Sequence, residues 1–129
     1  MKVLIVDGFG PHAGMLERAY RNSGIDATGV TTLAKAAAFI RKDAPDLILW
    51  QADHEMLTAW KAIHWLRQTQ SKRIYFVAMH MLPGGIERRR HKALCEECGA
   101  DEFVGKPFEL AAMLEWAGKA KERLEETRK

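Results

Sequence analysis

Five short apolar runs, each followed by a segment with helical periodicity, constrain this chain more than any other feature. The runs are KVLIVDG, IDATGV, DLILWQ, RIYFVAMH and DEFVGK. The segment LILW is apolar on both faces, which is typical of strands covered on both sides in a parallel sheet. Strands that alternate with helices are joined by right-handed crossovers. The sequence therefore predicts an α/β fold, a (βα)5 doubly wound parallel five-stranded sheet.

The helical segments predict one compact unit. The chain has 129 residues, of which 47% are hydrophobic, and this is enough for a single core. We expect one domain over residues 1–129, with a last helix over about 107–127 that opens at Pro107. Apolar residues at helical spacing predict the inward faces of three helices: Met15, Leu16, Ala19 and Tyr20; Leu33, Ala36, Ala37 and Ile40; Leu110, Met113, Leu114 and Ala117.

Composition points to the cytoplasm. No apolar run approaches the roughly 20 residues of a membrane-spanning helix, and the N-terminal segment lacks the cleavage site of a signal peptide. Cys95 and Cys98 lie three residues apart, a poor spacing for a disulfide within one helix. We expect reduced thiols and a cytoplasmic protein.

Polar residues stand where the predicted strands end. They are Asp7, Gln51 with Asp53 two residues later, His80 and Lys106. Sheets of this kind bind ligands at the carboxyl ends of their strands, near the point where the strand order reverses. The sequence therefore predicts a functional site at this edge.

Four stretches carry a resemblance to a known family. LIVDG, NSGIDA, APDLILW and GADEFVGKPFEL resemble the receiver domain of bacterial response regulators, the CheY-like domain with a flavodoxin-like fold, across nearly the whole chain. The resemblance implies an acidic pair that holds Mg²⁺, an Asp that accepts a phosphoryl group, a Thr or Ser that responds to it, and a Lys that contacts it. Mg²⁺ prefers oxygen ligands, typically one or two carboxylates with phosphate and water.

Matching this sequence to the family position by position shows which groups are kept. Asp7 matches the first acid, whereas Gly8 replaces the second. Gln51 falls on the phosphoacceptor position and His80 on the Thr/Ser position. The matching positions at the end of the chain are Phe103 for the switch aromatic, and Lys106, Pro107 and Phe108.

These replacements predict a degenerate phosphorylation pocket, that is, a pseudo-receiver. A Gln amide is neutral and forms no acyl phosphate, so we expect Mg²⁺ binding to be weak or absent. Lys106 still needs a partner, because a buried charge left unpaired is costly. We expect Lys106 to pair directly with Asp7 and to stand in for the metal. The protein would then signal through protein–protein contacts without phosphorylation, and would not be an enzyme.

Two alternatives stay open at this point. In the first, Asp53 is a displaced phosphoacceptor and the chain is a working receiver in a two-component phosphorelay. In the second, the domain binds a small ligand or a metal through His80 and through His91, Cys95 and Cys98, which share one face of the predicted fourth helix.

Surface residues suggest where a partner binds. Eight Lys or Arg and one acid lie between Lys61 and Lys92, so one side of the molecule should be basic. We expect an output face on the predicted fourth helix, fifth strand and last helix, formed by Phe103, Arg88, Arg89, Lys92 and Trp116. This face would bind a signalling protein or form a homodimer. An exposed Trp65 would be a separate interaction anchor. The basic cluster lacks interleaved aromatic residues and a recognition helix, which argues against nucleic acid.

Overall fold

The computed structural model describes residues 1–51, 74–80, 86–97, 99–106 and 108–127, apart from the side chains at 86–88, 91, 94, 95 and 127. Within these residues, five parallel strands form one sheet in the order β2-β1-β3-β4-β5. They are β1 (Lys2–Val6), β2 (Asp26–Val30), β3 (Leu47–Gln51), β4 (Tyr75–His80) and β5 (Glu102–Gly105). The predicted fold class is confirmed.

The described helices are α1 (Gly10–Asn22), α2 (Leu33–Lys42), α3 (Ile86–Glu97) and α4 (Leu110–Thr127). Thus α3 is the predicted fourth helix, and the helical segment predicted between the third and fourth strands lies outside the described residues. No helix within the described ranges is long and apolar enough to span a bilayer.

The last helix begins later than the sequence predicts. Its first backbone hydrogen bonds run from Ala112 and Met113 to the carbonyl of Glu109, and Phe108 and Glu109 lie before the helix. The described helix therefore begins at Leu110, and the predicted start was about 107. The difference has a consequence for the site, because the non-helical Phe108 can turn toward α1.

Local sequence signals explain how two of the helices start. Thr32 precedes α2, and its hydroxyl oxygen accepts a hydrogen bond from the Lys35 amide at 3.2 Å, as expected of an N-cap threonine. Pro11 lies in the first turn of α1, where a missing amide hydrogen costs nothing. After α1, Gly24 lies in the connection to β2 with φ at +79°, a conformation that glycine adopts without strain.

The core has two layers, one on each side of the sheet. One layer packs α2 against the sheet through Ala36 and Ile40. The other packs α1 and α4 against the opposite side, with Leu16, Tyr20 and Trp116 at its centre. Parallel strands covered on both faces explain why β3 and β4 are almost entirely apolar.

The predicted inward stripe of the last helix is only half correct. Met113 and Ala117 are buried, but Leu110 and Leu114 are 47% and 40% exposed. Met15 of α1 is also half-exposed, against the prediction. The buried positions of α4 include Trp116 instead, so the face of α4 that packs on the sheet is the one that carries this tryptophan.

The strand register brings the predicted site residues to one edge. Val6 is paired with Trp50, Gln51 with Met79, and His80 with Gly105. Because parallel strands share a direction, the residues that follow them emerge on the same edge. Those residues are Asp7 after β1, Gln51 ending β3, His80 ending β4 and Lys106 after β5.

Candidate functional site

The centre of this edge is the carboxylate of Asp7, which is 2% exposed. Its Oδ2 atom lies 2.6 Å from Lys106 Nζ and 2.5 Å from His12 Nδ1. Its Oδ1 atom accepts a hydrogen bond of 3.0 Å from the Phe9 amide. Both oxygens are therefore engaged within the chain itself.

Opposing effects act on the pKa of Asp7. Burial alone would raise it, because the charged carboxylate loses solvation. The hydrogen bonds from Lys106, His12 and the Phe9 amide outweigh burial and hold the pKa below its ordinary value. The carboxylate is thus ionised at neutral pH, and its charge is compensated by protein groups.

The predicted pairing of Lys106 with Asp7 is present in the structure. The backbone amide of Lys106 donates to the carbonyl of His80 at 2.8 Å, which continues the β4–β5 ladder and fixes the start of the side chain. The lysine side chain is 6% exposed and that of Asp7 is 2% exposed. A pair so well shielded is not screened by solvent as a surface pair would be.

His12 is a member of the site that sequence reasoning missed. It lies in the first turn of α1, five residues after Asp7, and its side chain is 18% exposed. Its ring meets the Phe108 ring edge-on at 6.5 Å between centroids, and Phe108 meets Trp116 at 5.1 Å. The sequence did carry a signal for His12. A histidine in the first turn of a helix that starts at this edge of the sheet can turn its side chain back toward the preceding loop.

His80 packs against the predicted switch aromatic. The His80 and Phe103 rings are stacked, with centroids 4.4 Å apart and planes 8° from parallel. His80 is 2% exposed, and Phe103 is half-buried and joins the α2-side core layer. A methyl group on Gly105 would lie 3.2 Å from the His80 ring, so glycine at this position leaves room for the imidazole.

Gln51 and Gly8 lie where the sequence predicts. Gln51 ends β3 and is half-buried. It follows Trp50, which is buried and stacked on Phe76 at 6.0 Å. Gly8 is exposed, and a Cβ added there would meet no atom within 4 Å. Internal packing therefore does not require glycine at the position of the second acid.

The prediction for Trp116 is wrong. Trp116 is 3% exposed and belongs to the α1–α4 core layer, where it contacts Phe108. Phe103 packs on the opposite side of the sheet, so the two aromatic residues do not share a face. Its indole packs in the layer between α4 and the sheet and leaves no surface for a partner.

Exposed basic residues of α3 support the charge prediction in part. Arg89 and Lys92 are exposed, as is Arg90 between them, and Lys92 is 4.0 Å from Glu96. The other predicted residues of the site and surface lie outside the described residues, either entirely or by their side chains: Asp53, Trp65, Pro107, Arg88, His91, Cys95 and Cys98.

The described residues do not fit Mg²⁺ at this edge. The ion needs free carboxylate oxygens, whereas the Asp7 carboxylate already binds Lys106 and His12. Gly8 contributes no side-chain oxygen, and the amide of Gln51 carries no charge. Within the described part of the chain, no group of three His, Cys, Asp or Glu residues could hold a metal ion.

Sequence comparison gives no assignment, because no protein-family model and no curated protein sequence matches the chain. Comparison of the structure does. It superposes on a CheY-like receiver domain protein from Methanospirillum hungatei with a TM-score of 0.82 and 16% identity, covering 97% of each chain. The fold is that of receiver domains.

Two further solved structures agree. A two-component response regulator from Clostridium difficile has a TM-score of 0.80 at 19% identity, covering 95% of this chain and 97% of that one. An orphan response regulator of H. pylori has a TM-score of 0.75 at 19% identity, covering 96% of each chain. In the receiver fold, the edge that carries Asp7, Gln51, His80 and Lys106 is the edge where the sequence resemblance places the phosphorylation pocket.

Proposed function

We propose that this chain is a pseudo-receiver, a signalling module that works through protein–protein contacts without phosphorylation. The observation that carries the proposal is the engagement of Asp7 by Lys106 and His12. These two side chains occupy the carboxylate that would otherwise be available to a metal. The arrangement keeps the pocket neutralised by residues of the chain alone.

The chemistry of Gln51 supports the same proposal. Phosphoryl transfer to a receiver needs a carboxylate nucleophile and cations on the phosphoryl oxygens. An amide at this position is not such a nucleophile. The domain is accordingly proposed as an interaction module and not as an enzyme.

The stack of His80 on Phe103 suggests how the module presents a surface. A receiver would place a small hydroxyl residue at the position of His80. Here an imidazole ring fills that space and lies flat against Phe103. The position of Phe103 is therefore set by its packing on His80 and does not depend on a phosphoryl group. The surface of β5 can accordingly keep one conformation.

The partner proposed for this surface is an acidic signalling protein. Arg89, Arg90 and Lys92 of α3 are exposed, and such a basic patch steers and orients an acidic partner. A homodimer through α3, β5 and α4 is the other arrangement that the sequence leaves open. Two copies facing each other there would bring these like charges together, which favours a different protein as the partner.

Tryptophan fluorescence tests the proposal directly. Trp50 lies next to Gln51 and is buried, so it reports occupancy of the pocket. Wild-type protein is titrated with Mg²⁺ and then with beryllofluoride, a mimic of an acyl phosphate. We expect no signal change that depends on Trp50, with Trp50→Phe as the control for the other tryptophans.

A repaired variant provides the matched positive control. Gly8→Asp with Gln51→Asp restores the family's carboxylates, and the open space at Gly8 accommodates the new side chain. The repaired protein should show a saturable, Mg²⁺-dependent change. The same change in the wild type would refute the proposal and make Asp53 the next residue to mutate.

Direct chemistry separates the two alternatives. An acyl phosphate that forms with Mg²⁺ and disappears in Asp53→Asn would establish a displaced phosphoacceptor. A stoichiometric metal lost on Cys95→Ser would establish the metal-binding alternative. Neither outcome is expected from the proposed function.

A further inference from the structure

Exposed apolar side chains gather on the layer formed by α1 and α4. Met15 is 50% exposed, and Leu110 and Leu114 of α4 are similarly open to solvent. Single apolar residues on a surface are ordinary, but a contiguous patch marks an interaction site.

The three residues lie on two helices that are in direct contact, since the Tyr20 hydroxyl of α1 donates to the Met113 carbonyl of α4 at 3.1 Å. His12 of α1 meets Phe108, just before α4, and Ala19 packs against the core layer that contains Met113. Met15 lies three residues after His12 and four before Ala19, so helical geometry places it on the same flank. Met15 therefore borders the gap between α1 and the exposed leucines of α4.

A groove extends the patch along α4. It is lined by apolar residues from three parts of the chain, among them Ile25, Leu114 and Leu124, by Gly118, and by the charged Lys121 and Glu125. The apolar surface thus runs from the start of α4 to its C-terminal half. This length suits an elongated partner surface such as a helix.

Gly118 lies inside this surface and has no internal explanation. Glycine within a helix is less favourable than alanine. A Cβ at Gly118 would meet no atom within 4 Å, and its φ is not positive. The described chain therefore does not need glycine here, whereas a second backbone that approaches α4 closely would.

Charges on either side of the patch are complementary. Arg18 is exposed on α1, one turn after Met15, whereas α4 exposes Glu115, Glu122, Glu125 and Glu126 against one fully exposed lysine, Lys121. A two-fold arrangement, in which α1 of each copy faces α4 of the other, brings these opposite charges together twice. The same surface is thus complementary to itself.

We propose that a second copy of this chain docks on the α1–α4 face, defined by Met15, Arg18, Leu110, Leu114, Gly118 and Glu122. The dimer leaves α3 and the exposed side of β5 free for the signalling partner proposed above. The two proposals rest on different surfaces, so each can fail without the other.

Sedimentation velocity over micromolar to millimolar concentrations tests the dimer. We expect a reversible monomer–dimer equilibrium. Leu114→Arg should raise the dissociation constant at least about tenfold, since it places a charge at the centre of the patch. The matched control is Ala38→Arg, which places the same charge on an exposed position of α2, on the opposite side of the sheet, and should leave the constant unchanged. Gly118→Glu is a second disruptive variant, since the added side chain has open space in the monomer.

Charge exchange between copies makes the test specific. Arg18→Glu and Glu122→Arg should each weaken the homodimer, and an equimolar mixture of the two should form a heterodimer of restored affinity. A chain that stays monomeric throughout would overturn the proposal. So would a dimer that survives Leu114→Arg and dissociates instead on Arg89→Glu, because that dimer would use the α3 surface.

Discussion

Replacing Lys106 by methionine should destabilise the domain through the charge it leaves behind. Methionine keeps most of the length of the side chain and removes the ammonium group. The Asp7 carboxylate would then remain buried, with hydrogen bonds from His12 and the Phe9 amide alone. Removing one member of a buried ion pair costs about 3–5 kcal/mol. Because two donors remain on Asp7, we expect a loss near the lower limit, about 3 kcal/mol.

Urea denaturation measures this loss as a shift of the midpoint at constant m-value. The control is Lys121→Met, which removes the charge of an exposed lysine and should change the free energy of unfolding by no more than about 0.5 kcal/mol. Adding Asp7→Asn to Lys106→Met should recover part of the stability, since no buried charge is then unpaired.

A small loss would refute this reasoning. If Lys106→Met costs less than about 1 kcal/mol and the double-mutant cycle with Asp7→Asn gives no coupling, the pair does not stabilise the pocket. Lys106 would then be a pocket residue available to a ligand.

Three further predictions follow from the same geometry. The pKa of Asp7 is lowered in the folded protein, so the stability that Asp7 contributes is present above about pH 4, the ordinary carboxyl value, and is lost as pH falls through the folded pKa. The free energies of unfolding of the wild type and of Asp7→Asn should therefore converge as the pH is lowered below about 4. Gly29→Ala places a Cβ 2.9 Å from the Ala13 carbonyl oxygen and should cost about 1–3 kcal/mol by urea denaturation, whereas Gly8→Ala should cost far less. Burial, followed by the hydrogen bond to a glutamate, raises the pKa of Tyr75 to about 12. Phenolate absorbance, taken as the difference from Tyr75→Phe, should therefore appear near that pH in the folded protein, and the associated stability should fall between about pH 10 and 12. Titration of Tyr75 at its ordinary pKa in the folded state would contradict this assignment.

Much of the site could be predicted because sequence order fixes it. Apolar runs identify the strands, and the polar residue after each run must emerge at the carboxyl edge of a parallel sheet. The order of residues along the chain is therefore enough to place Asp7, Gln51, His80 and Lys106 together. The resemblance to receivers adds which positions differ from the family's pattern, and the comparison of structures agrees with the fold that the resemblance implies.

His12 could not be predicted in the same way. It belongs to a helix and not to a strand end, and its contact with Asp7 depends on how the β1–α1 loop turns. The stack of His80 on Phe103 could not be predicted either. It depends on which residues of two neighbouring strands face each other, and pairing between strands is a non-local property.

The sequence by itself determined the strands and helices, their order along the chain and the polar residues that follow the strands, because hydrophobic periodicity is a local property. Only the tertiary structure decided which side of each helix is covered. In α4, apolar residues surround more of the helix than the sheet can bury, so packing had to choose among them. Trp116 was buried because it fills the space beside Phe108, and Leu110 and Leu114 were left exposed next to α1.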